Sequence, residues 1–423
     1  MSGPLAGLRV IELCDERGAF AGKLLADLGA EVVKIEPPGG DKTRTYGPFL
    51  EDKPGLERSL YFWHYNTSKR GLTLDTEGAE GRAILGQLLA KADIFLESMA
   101  PGYVAAAGLG YEALRAGNPG LIMCSIAPFG QHSPRRDEPA TEMTIGANGG
   151  FAWMNGYDDH TLPPVRGGGN QGYQTGCHFA VMSILAAVLF RDAGGTGQYI
   201  DVNMNAAANV TTEAGSYTWL VNQGTTQRQT GRHAGVTPSM PSQVRCADGR
   251  YVNTGIPPRR PEEFGRLLEW MKTLGLTDEF PLIPMLELGS KRERIDLSRI
   301  AEDAEVREIF GAGRQAFDFV ASRIPAYDFF SGGQQRGFQV GIVYAPEEVF
   351  TDPHFVARGW PTEVEHPELG RSLTYPGAPI AFGAGEWAIR RRAPLLGEDT
   401  AEVLATIGID AAKLAVLRER GVV

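Results

Sequence analysis

Short apolar runs alternate with segments of helical spacing in the first part of the chain. Residues 8–13 and 31–36 are rich in aliphatic side chains, and residues 18–28 between them carry large apolar side chains four positions apart. The first pattern is typical of buried strands, and the second of a helix, which ends here at Gly29. A strand, a helix and a strand within about thirty residues predict a βαβ unit with a right-handed crossover and parallel strands.

The alternation continues beyond this unit. Strands are predicted over 71–75, 93–97 and 121–126, and a further helix over 77–92. Residues 175–190 form a nearly all-apolar run, which predicts a helix that is buried on every side. The segment 37–41 (PPGGD) predicts a loop at the carboxyl end of a strand, where open α/β sheets bind their ligands.

The domain organisation follows from length and from a change in pattern. A chain of 423 residues is longer than a single core usually supports. From residue 211 to residue 336 the sequence becomes more polar and its helices are mixed in character. This predicts a large domain whose N-terminal part is 1–210, a small domain with linkers over 211–336, and a C-terminal part, 337–423, that returns to the large domain.

Composition argues against several classes of partner. The formal net charge is −10, so no basic field gathers nucleic acid or anionic lipid. No segment reaches the ~18 uninterrupted apolar residues of a membrane span. The four cysteines lie far apart, without the spacing of a zinc site, and predict reduced thiols. We therefore expect a cytoplasmic protein that binds no nucleic acid, no membrane and no metal.

Several segments carry a more specific signal. In chain order they include residues 7–13 (GLRVIEL), 24–38 (LLADLGAEVVKIEPP), 66–75 (NTSKRGLTLD), 196–202 (TGQYIDV), 365–370 (EHPELG) and 396–398 (LGE). Together they resemble the class III CoA-transferases, the formyl-CoA and carnitine-CoA transferase group. The matches keep their order and span nearly the whole chain, so the signal is specific for this family.

The resemblance implies a fold and a chemistry. The fold is α/β, with a large domain that contains a Rossmann-like sheet, a smaller α+β domain, and two subunits interlocked like linked rings. The chemistry needs no permanently bound cofactor. A carboxylate attacks an acyl-CoA thioester, which is the substrate, and forms a mixed anhydride; CoA leaves, and an acceptor acid completes the exchange.

The position of the family's nucleophilic aspartate departs from the pattern. A count without gaps back from residues 184–187 (ILAA) places Tyr173 at this position. A phenol has an ordinary pKa near 10 and is a poor substitute for a carboxylate in this exchange. The related racemases would need an acid at Tyr173 and a histidine at Thr141, so the resemblance disfavours racemase activity.

The nearest acid that could replace the aspartate is Glu142. The resemblance implies that it neighbours the active site without usually being the nucleophile. A structural role for Glu142 as a buried acid is at least as well supported by the sequence as a catalytic role.

The CoA site that the resemblance implies is also altered. Where many members place an arginine near the nucleotide phosphates, this chain has Ala105, Ala106 and Ala107. Lys34, Arg44 and Lys69 remain at or near the family's loop positions. We predict them as the candidate CoA contacts, with solvated surface cations as the alternative.

Three functions remain open at this point. The first is a non-catalytic subunit that pairs with a homologous catalytic subunit, as a heterodimer or heterotetramer, and moves CoA from a succinyl-CoA type of donor to a carboxylic acid. Among heteromeric members the resemblance is to succinyl-CoA:(R)-benzylsuccinate CoA-transferase, an enzyme of toluene degradation. The second is a homodimeric transferase with Glu142 as nucleophile. The third is an acyl-CoA-binding protein without turnover.

Overall fold

The computed structural model describes residues 3–157, 159–229, 232–234 and 242–423. These residues form two compact units. The first comprises residues 1–152, 166–216 and 352–423, and the second comprises residues 153–165 and 217–351. Residues 230–231 and 235–241 of the predicted small domain lie outside the described residues. The predicted domain bounds stay a prediction, because a compact unit is not by itself an independently folding domain.

A parallel sheet organises the first unit. Its strands are β1 (Arg9–Leu13), β2 (Glu31–Glu36), β3 (Arg70–Thr73), β4 (Ile94–Glu97), β5 (Ile122–Ala127) and β6 (Tyr199–Asn203). They are all parallel, in the order β3-β2-β1-β4-β5-β6. This is the strand order of the Rossmann fold. The predicted parallel α/β arrangement is confirmed, whereas β6 was not predicted as a strand.

Helices connect these strands and follow them. They are α1 (Ala19–Asp27), α2 (Leu60–Tyr65), α3 (Ala79–Leu89), α4 (Tyr103–Ala106), α5 (Tyr111–Gly117), α6 (Glu142–Asn148), α7 (Gln171–Asp192), α8 (Met204–Val210) and α9 (Ala214–Asn222). The predictions for α1, α3 and α7 are confirmed. The short helix α2 was missed; it begins where Ser59 accepts a hydrogen bond from the Phe62 amide.

The sheet buries both of its faces. Successive residues of a strand point to opposite sides, so Val10 belongs to one apolar core and Ile11 to the other. The first core includes Leu25 of α1 and Ile184 of α7. The second includes Leu88 of α3. Strands covered on both faces read as nearly continuous apolar runs, which is why the sequence marked them clearly.

Helix α7 corrects the prediction of a helix buried on every side. Ala180, Ile184 and Ala187 are buried, whereas Leu189 is 72% exposed and Phe190 57% exposed. Its length and apolar composition alone would also suffice for a membrane span, a test that core helices pass as well. The prediction failed because composition shows only that the helix is apolar on all sides. It does not show whether the rest of the same chain covers each side.

The second unit has a core and a small sheet of its own. Its elements are β7 (Gln227–Gln229), β8 (Arg232–Ala234), β9 (Gln243–Arg245), β10 (Tyr251–Asn253), α10 (Pro261–Thr273), α11 (Ile283–Lys291), α12 (Ala304–Arg323), α13 (Ala326–Gln335) and β11 (Gly341–Val343). Strands β9, β10 and β11 pair antiparallel, and so do β7 and β8. Phe264, Trp270 and Phe317 are among the residues that fill its core.

The last part of the chain belongs to the first unit. It contains α14 (Pro353–Ala357), the antiparallel pair β12 (Pro361–His366) and β13 (Arg371–Pro376), α15 (Thr400–Ala405) and α16 (Ala411–Glu419). Val403 of α15 and Leu417 of α16 join the apolar core that contains Ile11.

A cluster of buried charges lies within the first unit. Glu12 of β1 and Lys34 of β2 are register partners, and both are fully buried. The Lys34 ammonium lies 3.6 Å from the Glu12 carboxylate and 2.9 Å from that of Asp41. Lys69 is also fully buried and lies 2.7 Å from Glu12. The two cations and two anions balance, which is the condition for charges to persist in a core.

Gly22 of α1 gives this cluster its space. A Cβ atom at this position would lie 1.7 Å from a Glu12 carboxylate oxygen and 3.1 Å from the Lys69 nitrogen. The helix therefore packs on the charged cluster through a residue without a side chain. No other residue fits here unless Glu12 moves.

We expect Glu12→Gln to lower the free energy of unfolding by about 3–5 kcal/mol, because the change leaves buried cations without their anion. Urea denaturation followed by tryptophan fluorescence measures the loss. Glu112→Gln, which breaks an exposed ion pair with Arg115, is the matched control and should change stability little. Equal effects of the two substitutions would contradict the role given to the buried cluster.

Candidate active site

The candidate site lies where the strand order of the parallel sheet reverses. The chain leaves β1 towards β2 on one side, and the later strands β4, β5 and β6 lie on the other. Ligands of open α/β sheets bind at this reversal, outside the carboxyl ends of the strands. The segment after β1, residues 14–18 (CDERG), and the segment after β4 both begin here.

The segment after β1 carries an internal ion pair. Arg17 donates to both carboxylate oxygens of Asp15, with distances between 2.8 and 3.1 Å. The Ser98 hydroxyl, just after β4, donates to Asp15 at 3.0 Å. Burial alone would raise the pKa of Asp15, but the hydrogen bonds and charge of Arg17 outweigh burial and lower it. Asp15 is therefore ionised and ties the two strand ends together.

Glu16 pairs with a more exposed cation. Lys42 lies 3.0 Å from the Glu16 carboxylate and 3.6 Å from Asp15, and its own side chain is 54% exposed. The carboxylates of this segment are thus both accompanied by a cation.

Tyr173 lies in the first turn of α7, close enough to these charges to feel them. It is 7% exposed and belongs to the apolar core beneath α7. Burial, and then the negative charges of Glu16 and Asp15, raise its pKa to about 12. The phenol is therefore protonated at neutral pH and unable to act as an anionic nucleophile.

A group of tyrosines and amides surrounds the start of α7. Asn170, directly before the helix, donates to the Tyr61 hydroxyl at 2.7 Å, and Gln174 donates to the Tyr65 hydroxyl at 3.1 Å. The rings of Tyr61 and Tyr65 lie 4.7 Å apart. Burial raises the pKa of both phenols, so this group supplies neutral hydrogen-bonding side chains.

Glu142, the predicted candidate nucleophile, is the first residue of α6 and is 7% exposed. Arg166 donates to one of its carboxylate oxygens at 2.7 Å. The other oxygen accepts a long hydrogen bond of 3.4 Å from the Gly172 amide, which opens α7. Glu142 thereby joins α6 to Arg166, directly before the glycine-rich segment 167–169, and to α7, and its charge is already paired.

Lys34 and Lys69, predicted as CoA contacts, lie in the buried charge cluster and have no exposed surface. Lys34 donates to the Cys14 carbonyl at 2.8 Å, and Lys69 donates to the Ala19 carbonyl at 2.8 Å. They hold the two ends of the segment that carries Asp15, Glu16 and Arg17. A phosphate would have to displace a carboxylate to reach either one, and CoA contact by them stays a prediction.

Arg44, the third predicted CoA contact, is fully buried as well. It donates to both carboxylate oxygens of Glu36, at 2.7 and 2.8 Å, and lies 3.8 Å over the Phe62 ring. Its contacts within the chain fix the loop after β2. CoA contact by Arg44 also stays a prediction.

The sequence did not single out Asp15, Glu16 and Arg17. One signal was available, because three consecutive charged residues follow directly after a buried strand, at the edge where such sheets bind ligands. The tyrosine and amide group had no comparable signal, since its members come from separate segments. Among the described residues, no group of three or more His, Cys, Asp or Glu side chains is arranged to hold a metal.

Comparison with known proteins places this site in a family. The model of CoA-transferase family III matches residues 5–400. The chain is 32% identical over 424 residues to subunit BbsE of succinyl-CoA:(R)-benzylsuccinate CoA-transferase from Thauera aromatica, covering 100% of this chain and 99% of the relative. It is 30% identical over 412 residues to succinate–glutarate CoA-transferase from Agrobacterium fabrum, covering 96% of each.

Solved structures agree with the sequence matches. The crystal structure of a CaiB/BaiF family protein from Brucella suis superposes with a TM-score of 0.78 at 27% identity, covering 96% of this chain and 100% of that protein. The resemblance drawn from the ordered motifs is thereby confirmed over the length of the chain. This chain belongs to CoA-transferase family III.

Proposed function

We propose that this chain is a non-catalytic subunit of a CoA-transferase that moves CoA from a donor of the succinyl-CoA type to a carboxylic acid. The observation that carries the proposal is Tyr173, a buried phenol whose pKa of about 12 keeps it protonated at neutral pH. Anhydride formation requires an ionised carboxylate as the attacking group. The ionisable chemistry therefore belongs to a homologous subunit that retains the aspartate.

The reaction needs only the two substrates and that aspartate. The partner's carboxylate attacks the thioester carbonyl, the carbon–sulfur bond breaks, and CoA leaves as a thiolate. The acceptor carboxylate then attacks the aspartyl carbonyl of the mixed anhydride and displaces the donor acid. The thiolate finally attacks the acceptor's acyl carbonyl in the new anhydride, which forms the product thioester and releases the aspartate. CoA thioesters are substrates in this scheme, and we propose no permanently bound cofactor.

The surface of α7 supports assembly with a second subunit. Met182, Leu189 and Phe190 are more than half exposed on one helix. Apolar side chains grouped in this way are typical of protein interfaces. We propose a heterodimer or heterotetramer whose subunits interlock like linked rings, in the cytoplasm. The free state of Cys14, Cys124, Cys177 and Cys246 is consistent with that reducing compartment.

The acceptor acid is the least constrained part of the proposal. The relative from Thauera aromatica is named for (R)-benzylsuccinate, and that from Agrobacterium fabrum for glutarate. We propose benzylsuccinate, and with it a place in toluene degradation, as the first acceptor to test.

A second candidate is a homodimeric transferase in which Glu142 is the nucleophile. Its carboxylate lies near Tyr173, because it accepts a hydrogen bond from the amide of the preceding residue, Gly172. Against this, Arg166 pairs with it at 2.7 Å, and a carboxylate held by a guanidinium is a weaker nucleophile than a free one. A third candidate, an acyl-CoA-binding protein without turnover, would bind its ligand alone and gain no activity from any partner.

We expect this chain alone to transfer no CoA from succinyl-CoA, and to support transfer when it is produced together with a homologous subunit that carries the aspartate. The measurement is CoA transfer to benzylsuccinate and to glutarate, followed by chromatography of the CoA esters. A partner subunit with its aspartate changed to asparagine is the control, and it should be inactive. Turnover by this chain alone would refute the assignment as a non-catalytic subunit.

We expect Tyr173→Asp to leave the isolated chain inactive. The new carboxylate would be buried beside Asp15 and Glu16, whose negative charges raise its pKa and oppose its ionisation. The same succinyl-CoA assay measures turnover, and Tyr173→Asn controls for the loss of the ring. If Tyr173→Asp alone created a transferase, a carboxylate at position 173 would be the single missing element, and the charges of the neighbouring acids would be unimportant.

We expect Glu142→Gln to reduce activity of the two-subunit enzyme less than about threefold, because the residue positions α7 and does not react. Loss of a true nucleophile typically costs about 10³-fold or more in kcat. Arg166→Met is the matched control, since it breaks the same ion pair from the other side. Similar modest losses of thermal stability in both variants, with activity retained, support the positioning role; a collapse of kcat in Glu142→Gln alone supports the homodimeric transferase.

A further inference from the structure

A separate pocket opens beside the carboxyl ends of β4 and β5. Its volume is about 660 Å³, and its lining comes from β4, β5, β6, α4, α5 and the segment 131–136. Tyr173, Glu142 and Arg17 do not line it. The pocket is therefore distinct from the candidate active site, and its lining residues would bind a different ligand.

The floor of the pocket contains polar groups taken out of water. Glu97 and Ser125 are register partners on neighbouring strands, and both line the pocket. Glu97 is 2% exposed, and one of its oxygens accepts the Met99 amide at 2.8 Å. The Ser125 hydroxyl is fully enclosed and interacts with Glu97 and Tyr199, acting to lower the pKa of each, but it makes no hydrogen bond of good geometry among the described residues. Groups of this kind gain from a ligand that supplies hydrogen-bond donors.

The walls of the pocket are apolar and aromatic. The rings of Tyr111 and Tyr199 stack with centroids 5.9 Å apart, and Val104 and Met123 add aliphatic surface. On the side of α4 the wall is Ala105, in the stretch where the family's arginine is missing. A ligand here needs an apolar or aromatic body to use this surface.

The charges around the pocket favour a cation over an anion. Burial is the main cause that raises the pKa of Glu97 to about 7. The carboxylate has lost water of hydration, and a bound cation would compensate for that loss. Glu112, at the rim, is already paired with Arg115 at 3.1 Å, so the charge of the pocket depends on Glu97. Arg136 also lines the pocket, where it lies 3.3 Å from Asp137 and is compensated by it, and Arg17, which acts on Glu97 from outside the pocket, is paired with Asp15. His132 completes the rim.

We propose that this pocket binds a small organic cation, a primary amine with an aromatic or apolar body, whose ammonium group contacts Glu97 and Ser125. The body of the ligand lies against Tyr111 and Tyr199, where the ring faces also attract positive charge. A phosphate or a carboxylate is a poor occupant, since Glu97 would oppose it. The site is independent of the proposed CoA-transferase function.

Titration calorimetry with the full chain at pH 8 tests this proposal, using three probes of nearly equal shape. 2-Phenylethylamine is the cation, 2-phenylethanol the neutral analogue and phenylacetate the anion. We expect the amine to bind at least about tenfold more tightly than either analogue, a difference of about 1.4 kcal/mol. Equal binding of amine and alcohol, preference for phenylacetate, or no binding of the amine at millimolar concentration would overturn the proposal.

Three variants locate the binding. Glu97→Gln keeps the shape of the floor and should weaken amine binding about tenfold or more, which is about 1.4 kcal/mol. Ala105→Trp fills the pocket from its wall, leaves Glu97 in place and should abolish binding of the amine. Glu112→Gln, at the exposed rim, should change it little. Unaltered amine binding by both Glu97→Gln and Ala105→Trp, in protein that melts as the parent does, would place the amine elsewhere.

Discussion

Lys34 and Lys69 have no contact with solvent, and yet the segment after β1 depends on them. Each lysine neutralises a buried carboxylate and also donates to a backbone carbonyl, Lys34 at Cys14 and Lys69 at Ala19. These carbonyls lie at the two ends of the segment that carries the charged residues of the candidate site. The cluster is tolerable in the core because its charges balance, and breaking one pair would leave an isolated charge at a cost of several kcal/mol. The two lysines thus fix the backbone on which the charged side chains of the candidate site are placed.

The charged side chains of the candidate site are also paired within the chain. Asp15 and Glu142 each bind a guanidinium, and the phenol of Tyr173, which the sequence count predicts at the family's aspartate position, is protonated. These contacts hold the shape of the site and leave the carboxylates of Asp15 and Glu142 paired with cations. The fold of family III is retained, together with hydrogen bonds that position the loops of the candidate site. Such an arrangement is what the proposed role requires, in which this chain completes the pocket of a catalytic subunit.

The sequence predicted the elements whose signal is local. Strands β1 to β5 and the helices α1, α3 and α7 follow from spacing and from runs of aliphatic residues, because both faces of a parallel sheet are covered, whereas β6 was missed. The exposed side of α7 could not be predicted, since apolarity does not show which chain covers it. The sequence predicted Lys34, Arg44 and Lys69 as ligand contacts, because a short motif does not show whether a cation within it is exposed to a ligand. Their burial depends on register and on contacts between distant segments, such as the pairing of Glu12 with Lys34, which local patterns do not contain.

Gly22 restricts the order in which this part of the protein can change over generations. A larger residue there collides with Glu12. If Glu12 is shortened first, Lys69 loses its counter-ion. Every single step away from the present arrangement is therefore costly, although a concerted replacement of Gly22, Glu12 and Lys69 by a well-packed apolar set need not be. Such positions behave as one inherited unit. A substitution at a position outside this unit, such as 173, is accepted more readily than one that disturbs the charged cluster that keeps the surrounding loops in place.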